Sequence, residues 1–394
     1  MKSQRDILIE ELEKLDVLDG RYEQLRCVSF SNGEKRGAFS LVFRAIDRLE
    51  GKPVAIKFFD PAPKFMRDTY RLNAFAREPE ILQRLLGEKR CLQLVAGMKT
   101  YLLNIPTQDG AAIATFACDY FSVDWIPQEL DVIFERQHEI TAEKKLLLFN
   151  EIVLAVETLH RHEVFHRDIK VDNLRSYEDA LKLVVIAIDL GTAALCDSAP
   201  IADNSDYPQP VGHIKYSSPE ACCGLAIDRE IGRFTDIYAL GCLLFELFNK
   251  DLFAAQVHKD IHFRTALGAL IVTLIMHKSL KQKIDAWKEN ICILRPSIAP
   301  VQVTIDGHSV PPEIQVSIDA LLNELTAFDY QQRIQDLETV RERIWSMIRV
   351  IRNRKAHQRA IELKKRYREN RMRKIQLREQ RLAEYFSNSR RLLC

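Results

Sequence analysis

The chain has 394 residues, of which 47% are hydrophobic and 28% are charged. These proportions suit a soluble globular protein of two or three domains, or one bilobal unit, and exclude collagen-like, mucin-like and wholly disordered chains. The longest nearly apolar run, 266–276, is shorter than the roughly 20 residues of a membrane-spanning helix, and the charged N-terminus lacks the apolar segment of a signal peptide.

Charge is distributed unevenly along the chain. The totals of 57 basic and 55 acidic residues nearly balance, but residues 341–394 hold 18 basic and 5 acidic residues. That segment is therefore +13, while residues 1–340 are −11. The pattern indicates an acidic body with a basic tail, two parts that have separate roles or attract one another.

Nine cysteines are present, with no C-x-x-C pair among them. An odd number without this spacing is a poor pattern for a disulfide framework or a zinc site. It favours free thiols in a reducing cytoplasm.

The first third of the chain predicts a mixed region. Apolar spacing over 3–18 predicts a short helix capped by Ser3. Residues 22–60 are β-rich with a turn at 31–40, a helix follows at 68–86, and 101–105 and 112–118 predict two strands.

From about residue 128 the pattern becomes mostly helical. The strongest helix is predicted at 142–161, and short strands are predicted near 164 and at 182–188. Residues 192–210 are rich in Ser, Asp and Pro and predict a long functional loop. Residues 341–386 lack Gly and Pro and predict a helix of roughly 65–70 Å.

Charged motifs fall on these elements in a fixed order. Val54-Ala55-Ile56-Lys57 lies on a predicted strand, and Glu78 opens an E-x-x-I-L pattern on the next helix. Two loop motifs follow, the run from His166 to Asn173 (HRDIKVDN) and Asp189-Leu190-Gly191. Each motif alone is weak, but the ordered set is specific. Over residues 22–345 the chain resembles the eukaryotic-type (Hanks-type) protein kinases of the Ser/Thr class. Its overall sequence is more similar to divergent or bacterial members of that family than to typical animal ones.

The resemblance implies an α+β, bilobal protein-kinase fold. A small antiparallel β-rich N-lobe with one main helix would cover 22–119, and a larger helical C-lobe would cover 122–345. An N-terminal amphipathic helix at 1–21 would precede this domain, and a basic helical tail at 346–394 would follow it.

The implied activity is transfer of the ATP γ-phosphate to protein hydroxyl groups, with Mg²⁺ or Mn²⁺. Lys57 would clamp the α- and β-phosphates, and Glu78 would hold Lys57 in place. Asp168 would accept the proton of the substrate hydroxyl, and Lys170 would steady the γ-phosphate. Lys170, two residues after Asp168, is the feature that favours Ser/Thr over Tyr substrates.

The resemblance also implies a nucleotide and metal site. Asn173 and Asp189 would supply the oxygen ligands of the metal ion. The residues expected to bind the nucleotide are Gly37, Ser40, Val42, Ala55, Lys57, Asp119, Phe121, Asn173 and Asp189. The strand at 117–121 would lead into the hinge between the lobes, with Cys118 behind the nucleotide.

Two motifs depart from the family pattern. Lys35, Gly37 and Ser40 occupy the positions of the three loop glycines. His213 follows Gly212 where the family usually has Thr, whose hydroxyl bridges the catalytic Asp and Lys, and His213 cannot reproduce that geometry directly.

Further motifs imply regulation and packing. Arg167 resembles the Arg that pairs with a phosphorylated activation-loop residue, for which the candidates are Thr192, Ser198, Ser205, Tyr207, Tyr216 and Ser217. Glu220 of Ser218-Pro219-Glu220 is expected to pair with Arg333, and 236–241 resembles the helix that anchors the large lobe.

Alternatives stay open at this point. Three alternatives compete with a serine/threonine kinase: a pseudokinase scaffold, a small-molecule phosphotransferase of similar fold, and a nucleic-acid-binding protein acting through 341–394. The tail itself is a solvated or oligomerising helix, a segment that docks on the acidic body or an acidic partner, or a ligand of nucleic acid or anionic membrane. The three histidines His160, His162 and His166 do not predict a metal site, because no cysteine or suitably spaced carboxylate accompanies them and the family resemblance explains His166 as a structural residue of its loop.

Overall fold

The computed structural model describes residues 3–31, 34–35, 40–106, 113–180, 182–195, 212–249, 251–294 and 310–391. The helices are α1 (Gln4–Lys14), α2 (Pro63–Met66), α3 (Thr69–Arg84), α4 (Asp131–Glu135), α5 (Ala142–Arg161), α6 (Pro219–Cys222), α7 (Arg229–Phe248), α8 (Phe253–Val257), α9 (Ile261–Ile275), α10 (Leu280–Leu294), α11 (Pro312–Leu325) and α12 (Leu337–Arg391). The strands are β1 (Val17–Leu18), β2 (Tyr22–Cys27), β3 (Phe30–Ser31), β4 (Glu34–Lys35), β5 (Ser40–Asp47), β6 (Lys52–Phe59), β7 (Leu94–Pro106), β8 (Ile113–Asp124), β9 (Gln128–Glu129), β10 (Val164–Phe165), β11 (Leu174–Asp179), β12 (Lys182–Ala187) and β13 (Ala194–Leu195).

An antiparallel sheet forms the N-terminal lobe, with strand order β1-β2-β5-β6-β8-β7. Side chains on a strand alternate between the two faces. Val54, Ile56 and Phe58 of β6 therefore pack on the outer face, in one cluster with Leu8 and Leu12 of α1. The residues between them face inward, toward α3 and the second lobe.

Helices dominate the C-terminal lobe. Its core is built around α5 and α7, and α7 buries a continuous apolar surface that includes Leu240, Leu243 and Leu247. The strands β12, β11 and β9 form a small sheet at the edge of this lobe that faces the N-terminal sheet, and β10 pairs with β13. Within the part of the chain that the structure describes, no helix is long and apolar enough to cross a membrane.

The predicted α+β architecture of two lobes is confirmed, and two of the predicted boundaries fall inside elements of the structure. Strand β8 continues to Asp124, so the predicted end of the N-lobe at 119 falls inside a strand. Helix α12 begins at Leu337 and runs on past 345, so the predicted start of the tail falls inside a helix. Thr192 lies in a short 3₁₀ turn, and the predicted loop from 196 to 210 lies outside the described residues.

Candidate active site

A cleft of about 430 Å³ lies between the two lobes. It brings together distant parts of the chain: β5 and β6 from above, residues 123–127 at the back, and the loops after β10 and β12 from below. Its lining includes Ser40, Val42, Ala55, Lys57, Leu92, Lys170, Asp172, Asn173, Ile188 and Asp189.

Lys57 connects the upper and lower walls of the cleft. Its Nζ lies 2.8 Å from both carboxylate oxygens of Glu78 on α3 and 3.0 Å from Oδ1 of Asp189. The backbone N–H of Leu190 donates to Glu78 Oε1 at 3.0 Å, which ties α3 to the segment after β12. The expected pair of Lys57 and Glu78 is therefore formed.

These buried charges shift one another's titration. Burial lowers the pKa of Lys57, but the carboxylates of Asp189 and Glu78 outweigh it, and the net pKa lies above the usual value. Burial raises the pKa of Asp189, but attraction to Lys57 lowers it overall. Burial raises the pKa of Glu78, and Lys57 only partly offsets this. Near neutral pH the site therefore holds a charged Lys57 beside an ionised Asp189.

Asp168 is held from both sides. Its Oδ2 accepts a hydrogen bond from Asn173 Nδ2 at 2.9 Å, and Lys170 Nζ lies 3.3 Å from the same oxygen. Its Oδ1 accepts from the backbone N–H of His213 at 2.7 Å. The carboxylate is therefore fixed in orientation, and its side chain is 12% exposed.

His213 reaches Asp168 through its backbone because of the residue before it. Gly212 has φ +86°, a conformation that residues with a Cβ rarely adopt. A Cβ at Gly212 would also overlap the carbonyl oxygen of Arg167 and lie 3.2 Å from Asp168 Oδ1.

The loop carrying Asp168 is anchored to the core by one buried carboxylate. Asp236 on α7 accepts the backbone N–H groups of His166 and Arg167 at 2.9 and 2.7 Å and contacts His160 Nε2 at 2.9 Å. His166 Nδ1 accepts from the N–H of Asp168, so its Nε2 donates to the carbonyl of Ile188. Within the described residues no cluster of metal-ligating side chains includes these histidines.

The structure corrects the predicted hinge. Phe121 pairs with Lys57 across the sheet and is fully buried, while Asp119 is exposed and accepts a bond from Thr100. Cys118 packs in the outer cluster with α1, away from the cleft. The strand reaches the cleft only at 123–127. The hydrophobic pattern predicted the strand, but no particular residue in the sequence indicated where the strand ends at the cleft.

Other predicted residues divide into two groups. Ser40, Val42 and Ala55 line the cleft as expected. Gly37, the centre of the predicted phosphate-binding loop, lies outside the described residues.

One buried pair beside the cleft was missed. Tyr216 donates its hydroxyl to Glu246 Oε2 at 2.9 Å. Burial raises the pKa of Glu246 to about 7, partly offset by the bond from Tyr216. The pair joins residues 30 positions apart, and no spacing rule in the sequence indicates it.

A second buried pair was expected. Arg333 donates to both carboxylate oxygens of Glu220, at 2.5 and 2.8 Å, and both side chains are fully buried. This bidentate geometry is the strong form of the ion pair. It ties the segment that follows the cleft to the base of the lobe, so the prediction is confirmed.

Comparisons with known proteins extend over this whole region. A family model described as protein kinase domain matches residues 35–346. A probable serine/threonine-protein kinase of Clostridium perfringens is 27% identical over 233 residues, which make up 59% of this chain and 29% of that protein. Mitogen-activated protein kinase 10 of Oryza sativa subsp. japonica is 24% identical over 302 residues, 76% of this chain and 44% of the relative. The matched region thus spans less than half of either relative.

Proposed function

The chain belongs to the protein kinase domain family, and we propose that it is an ATP-dependent serine/threonine kinase acting on protein hydroxyl groups. The observation that carries the proposal is the arrangement of Asp168, Asn173 and Lys170 beside the linked Lys57, Glu78 and Asp189. These six groups come from four separate segments of the chain and converge around one cleft. A loose phosphoryl-transfer transition state needs this kind of positioned charge more than it needs covalent chemistry.

Lys57 is assigned to the α- and β-phosphates of ATP. Its ammonium is held by Glu78, and this contact supports the assignment because a long side chain fixed at its tip is preorganised for an anion. The adenine ring is assigned to the apolar part of the cleft, between Val42 and Ala55 on one side and the backbone of 123–127 on the other.

The donor set suits a divalent cation such as Mg²⁺. The side-chain amide nitrogen of Asn173 donates to the carbonyl oxygen and to Oδ2 of Asp168. The side-chain oxygen of Asn173 is therefore the atom available to bind a metal ion. Asp189 is ionised and lines the same cleft. Hard oxygen donors are what Mg²⁺ and Mn²⁺ prefer. A bound ion would neutralise phosphate charge, and these two residues would hold it.

Asp168 is assigned as the group that orients the substrate hydroxyl and accepts its proton. Both of its oxygens are fixed by hydrogen bonds, which supports a positioning role for this carboxylate. Lys170 stands 3.3 Å from Asp168 Oδ2 and is assigned to the transferred phosphate. A serine or threonine preference rests on Lys170 and on relatives named as serine/threonine kinases.

The experiment that tests this proposal compares wild type with Asp168→Asn. Each protein is incubated with ATP, Mg²⁺ and a generic basic protein, and phosphosites are mapped by mass spectrometry. We expect phosphoserine or phosphothreonine with wild type only, because Asn cannot accept the hydroxyl proton.

ATP binding provides the control. We expect both proteins to gain thermal stability with ATP and Mg²⁺, by about 2.7 kcal/mol at 100 times the dissociation constant. Stabilisation without transfer in wild type would favour a pseudokinase, and transfer to phosphotyrosine would reject the serine/threonine assignment. Transfer to small hydroxylated molecules alone would favour the small-molecule phosphotransferase.

Autophosphorylation of the activation segment is part of the proposal. Thr192 is buried and donates its hydroxyl to the carbonyl of His166, and the Tyr216 hydroxyl is bonded to Glu246. Both hydroxyls are therefore poorly placed to receive a phosphoryl group in this conformation. The preferred sites are Ser217, whose hydroxyl donates to the carbonyl of His213 but is less buried than that of Thr192, and the candidates between 196 and 211, which lie outside the described residues.

We place the enzyme in the cytoplasm. The described cysteines are free thiols, which suits a reducing compartment. We also propose that the kinase unit ends within α12, and that the rest of this helix is a separate tail.

A further inference from the structure

Among the side chains of helix α12 that the structure describes, those of its first part contact the C-terminal lobe. Ile344, Ile348 and Ile351 are buried against the lobe. Ion pairs join this part to acidic residues of the body: Arg341 with Glu157, Arg343 with Glu324, Arg352 and Lys355 with Glu143, and Arg354 with Glu313. The acidic body therefore neutralises the basic tail as far as Lys355.

The charge beyond this point has no such counterpart. Residues 358–378 contain nine basic and two acidic residues, and their described side chains are exposed. Among the residues that the structure describes, none of these basic side chains forms an ion pair with the body. At 1.5 Å per residue, a net charge of +7 is spread over roughly 30 Å of helix. We call residues 358–378 the basic segment.

Charge surrounds the axis of the basic segment. Successive residues are rotated by roughly 100°, so Lys364, Lys365 and Arg366 alone point in three widely separated directions. Of the exposed apolar residues, Leu363, Tyr367 and Leu377 lie on one side, but they form a sparse stripe over about four turns. Ile375 and Met372 lie on other sides of the helix by the same rotation. A helix that lies on an anionic membrane needs one dense apolar face, and a coiled coil needs an apolar seam. The basic segment has neither.

We infer that the basic segment binds double-stranded DNA, with the helix in the major groove. An α-helix with side chains is about 10–12 Å wide, and the major groove of B-form DNA is about 12 Å wide with phosphates along both rims. Cations on all sides of a helix meet both rims at once. The major groove of duplex RNA is too narrow for a helix. Stacking on single strands uses aromatic side chains, of which the segment has only Tyr367.

The test measures binding of the full-length protein to a short labelled DNA duplex of arbitrary sequence, by fluorescence anisotropy over a range of salt concentrations. The variant is Arg368→Gln with Arg371→Gln, in the basic segment. The matched control is Arg352→Gln with Lys355→Gln, which removes the same charge at the same spacing from residues paired with Glu143. Circular dichroism and thermal midpoints verify that both variants are folded and helical.

For the Arg368/Arg371 variant we expect the slope of log K against log salt to fall by about 1.8, because each lost phosphate contact contributes about 0.9. The affinity at about 0.1 M salt should fall roughly 60-fold by the same relation. The control should bind nearly as wild type does.

Other outcomes overturn the inference. Equal losses in variant and control would mean that binding follows total charge and not the basic segment. Tighter binding of wild type to vesicles rich in anionic lipid would assign the segment to membranes, and tighter binding to single-stranded DNA or duplex RNA would reject the groove. The absence of duplex binding at low salt would leave the segment without this role.

Discussion

Gly212 acts on Asp168 through the backbone of its neighbour. The N–H of His213 approaches Asp168 Oδ1 only because residue 212 adopts a positive φ and carries no Cβ against Arg167. The His213 ring makes a different hydrogen bond, in which its Nδ1 accepts from the N–H of Lys215. At this point of the chain the identity of the glycine therefore matters more for Asp168 than the identity of the histidine.

We expect Gly212→Ala to lower kcat about 10- to 100-fold, the value of one hydrogen bond to a charged group. The KM for ATP should stay close to wild type, because the nucleotide contacts are elsewhere. His213→Ala keeps the backbone N–H and should retain most of the activity. Steady-state kinetics with thermal midpoints as a folding control measure this, and equal losses in the two variants would assign the effect to the imidazole ring.

Glu246 couples stability to pH. Its pKa of about 7 in the folded protein lies above the ordinary 4.5, so the folded state holds a proton that the unfolded state has released at intermediate pH. Its stabilising contribution is therefore complete below pH 4.5 and lost as pH rises through 7. The groups that face it are Tyr216, Asp172 and Lys215.

We expect Glu246→Gln to be more stable than wild type above pH 7, by at most about 3 kcal/mol relative to the difference at pH 4.5. Gln keeps an oxygen for the Tyr216 hydroxyl but never carries the buried charge. Thermal midpoints of both proteins from pH 5 to 8 test this, since all other titrating groups cancel in the difference. A constant difference across that range would show that Glu246 does not titrate there.

At the scale of elements, α12 is one helix with two environments. Its apolar contacts with the lobe end at Ile351, and its ion pairs with the lobe end at Lys355. The predicted boundary at 345 would therefore remove Met347, Ile348 and Ile351 from the core, all of them buried. We propose, from these contacts, that the kinase unit extends about ten residues further along α12 than the family match, which ends at 346.

We expect a chain truncated after residue 356 to keep the thermal midpoint of the full-length protein. A chain truncated after residue 345 should lose about 5 kcal/mol or more, because burial of each large apolar side chain contributes about 1.5–3 kcal/mol. Denaturant titration of the two truncations gives the comparison. Equal stability of both would mean that the contacts of 347–351 contribute little.

At the scale of the molecule, the sequence predicted best where chemistry needs particular charged letters. Lys57, Asp168, Asn173 and Asp189 stand in short motifs, and the order of these motifs along the chain predicted the two lobes. The sequence was a poor guide to contacts that are made by the backbone or by side chains far apart along the chain. The hydrogen bond from His213 to Asp168 is donated by a backbone N–H, which every residue except proline has. The identity of the residue at 213 therefore does not predict this bond.

The hinge shows the same limit in another form. Alternation in β8 gives way to a continuous buried run at 120–123. The pattern alone therefore does not say which residues of the strand lie over the cleft. Pairing with β6 settles it, because Ala55 lies opposite Val123. Such pairing is a property of two strands 60 to 70 residues apart, and only the folded chain contains it.

The buried carboxylate of Asp236 holds the loop that carries Asp168 against α7. Both backbone amides that it accepts belong to the loop, and the carboxylate itself is carried by α7 in the centre of the lobe. The amide hydrogens of His166 and Arg167 can exchange with solvent only when this contact opens. We therefore expect these two amide hydrogens to exchange slowly, because exchange requires the loop that carries Asp168 to separate from α7.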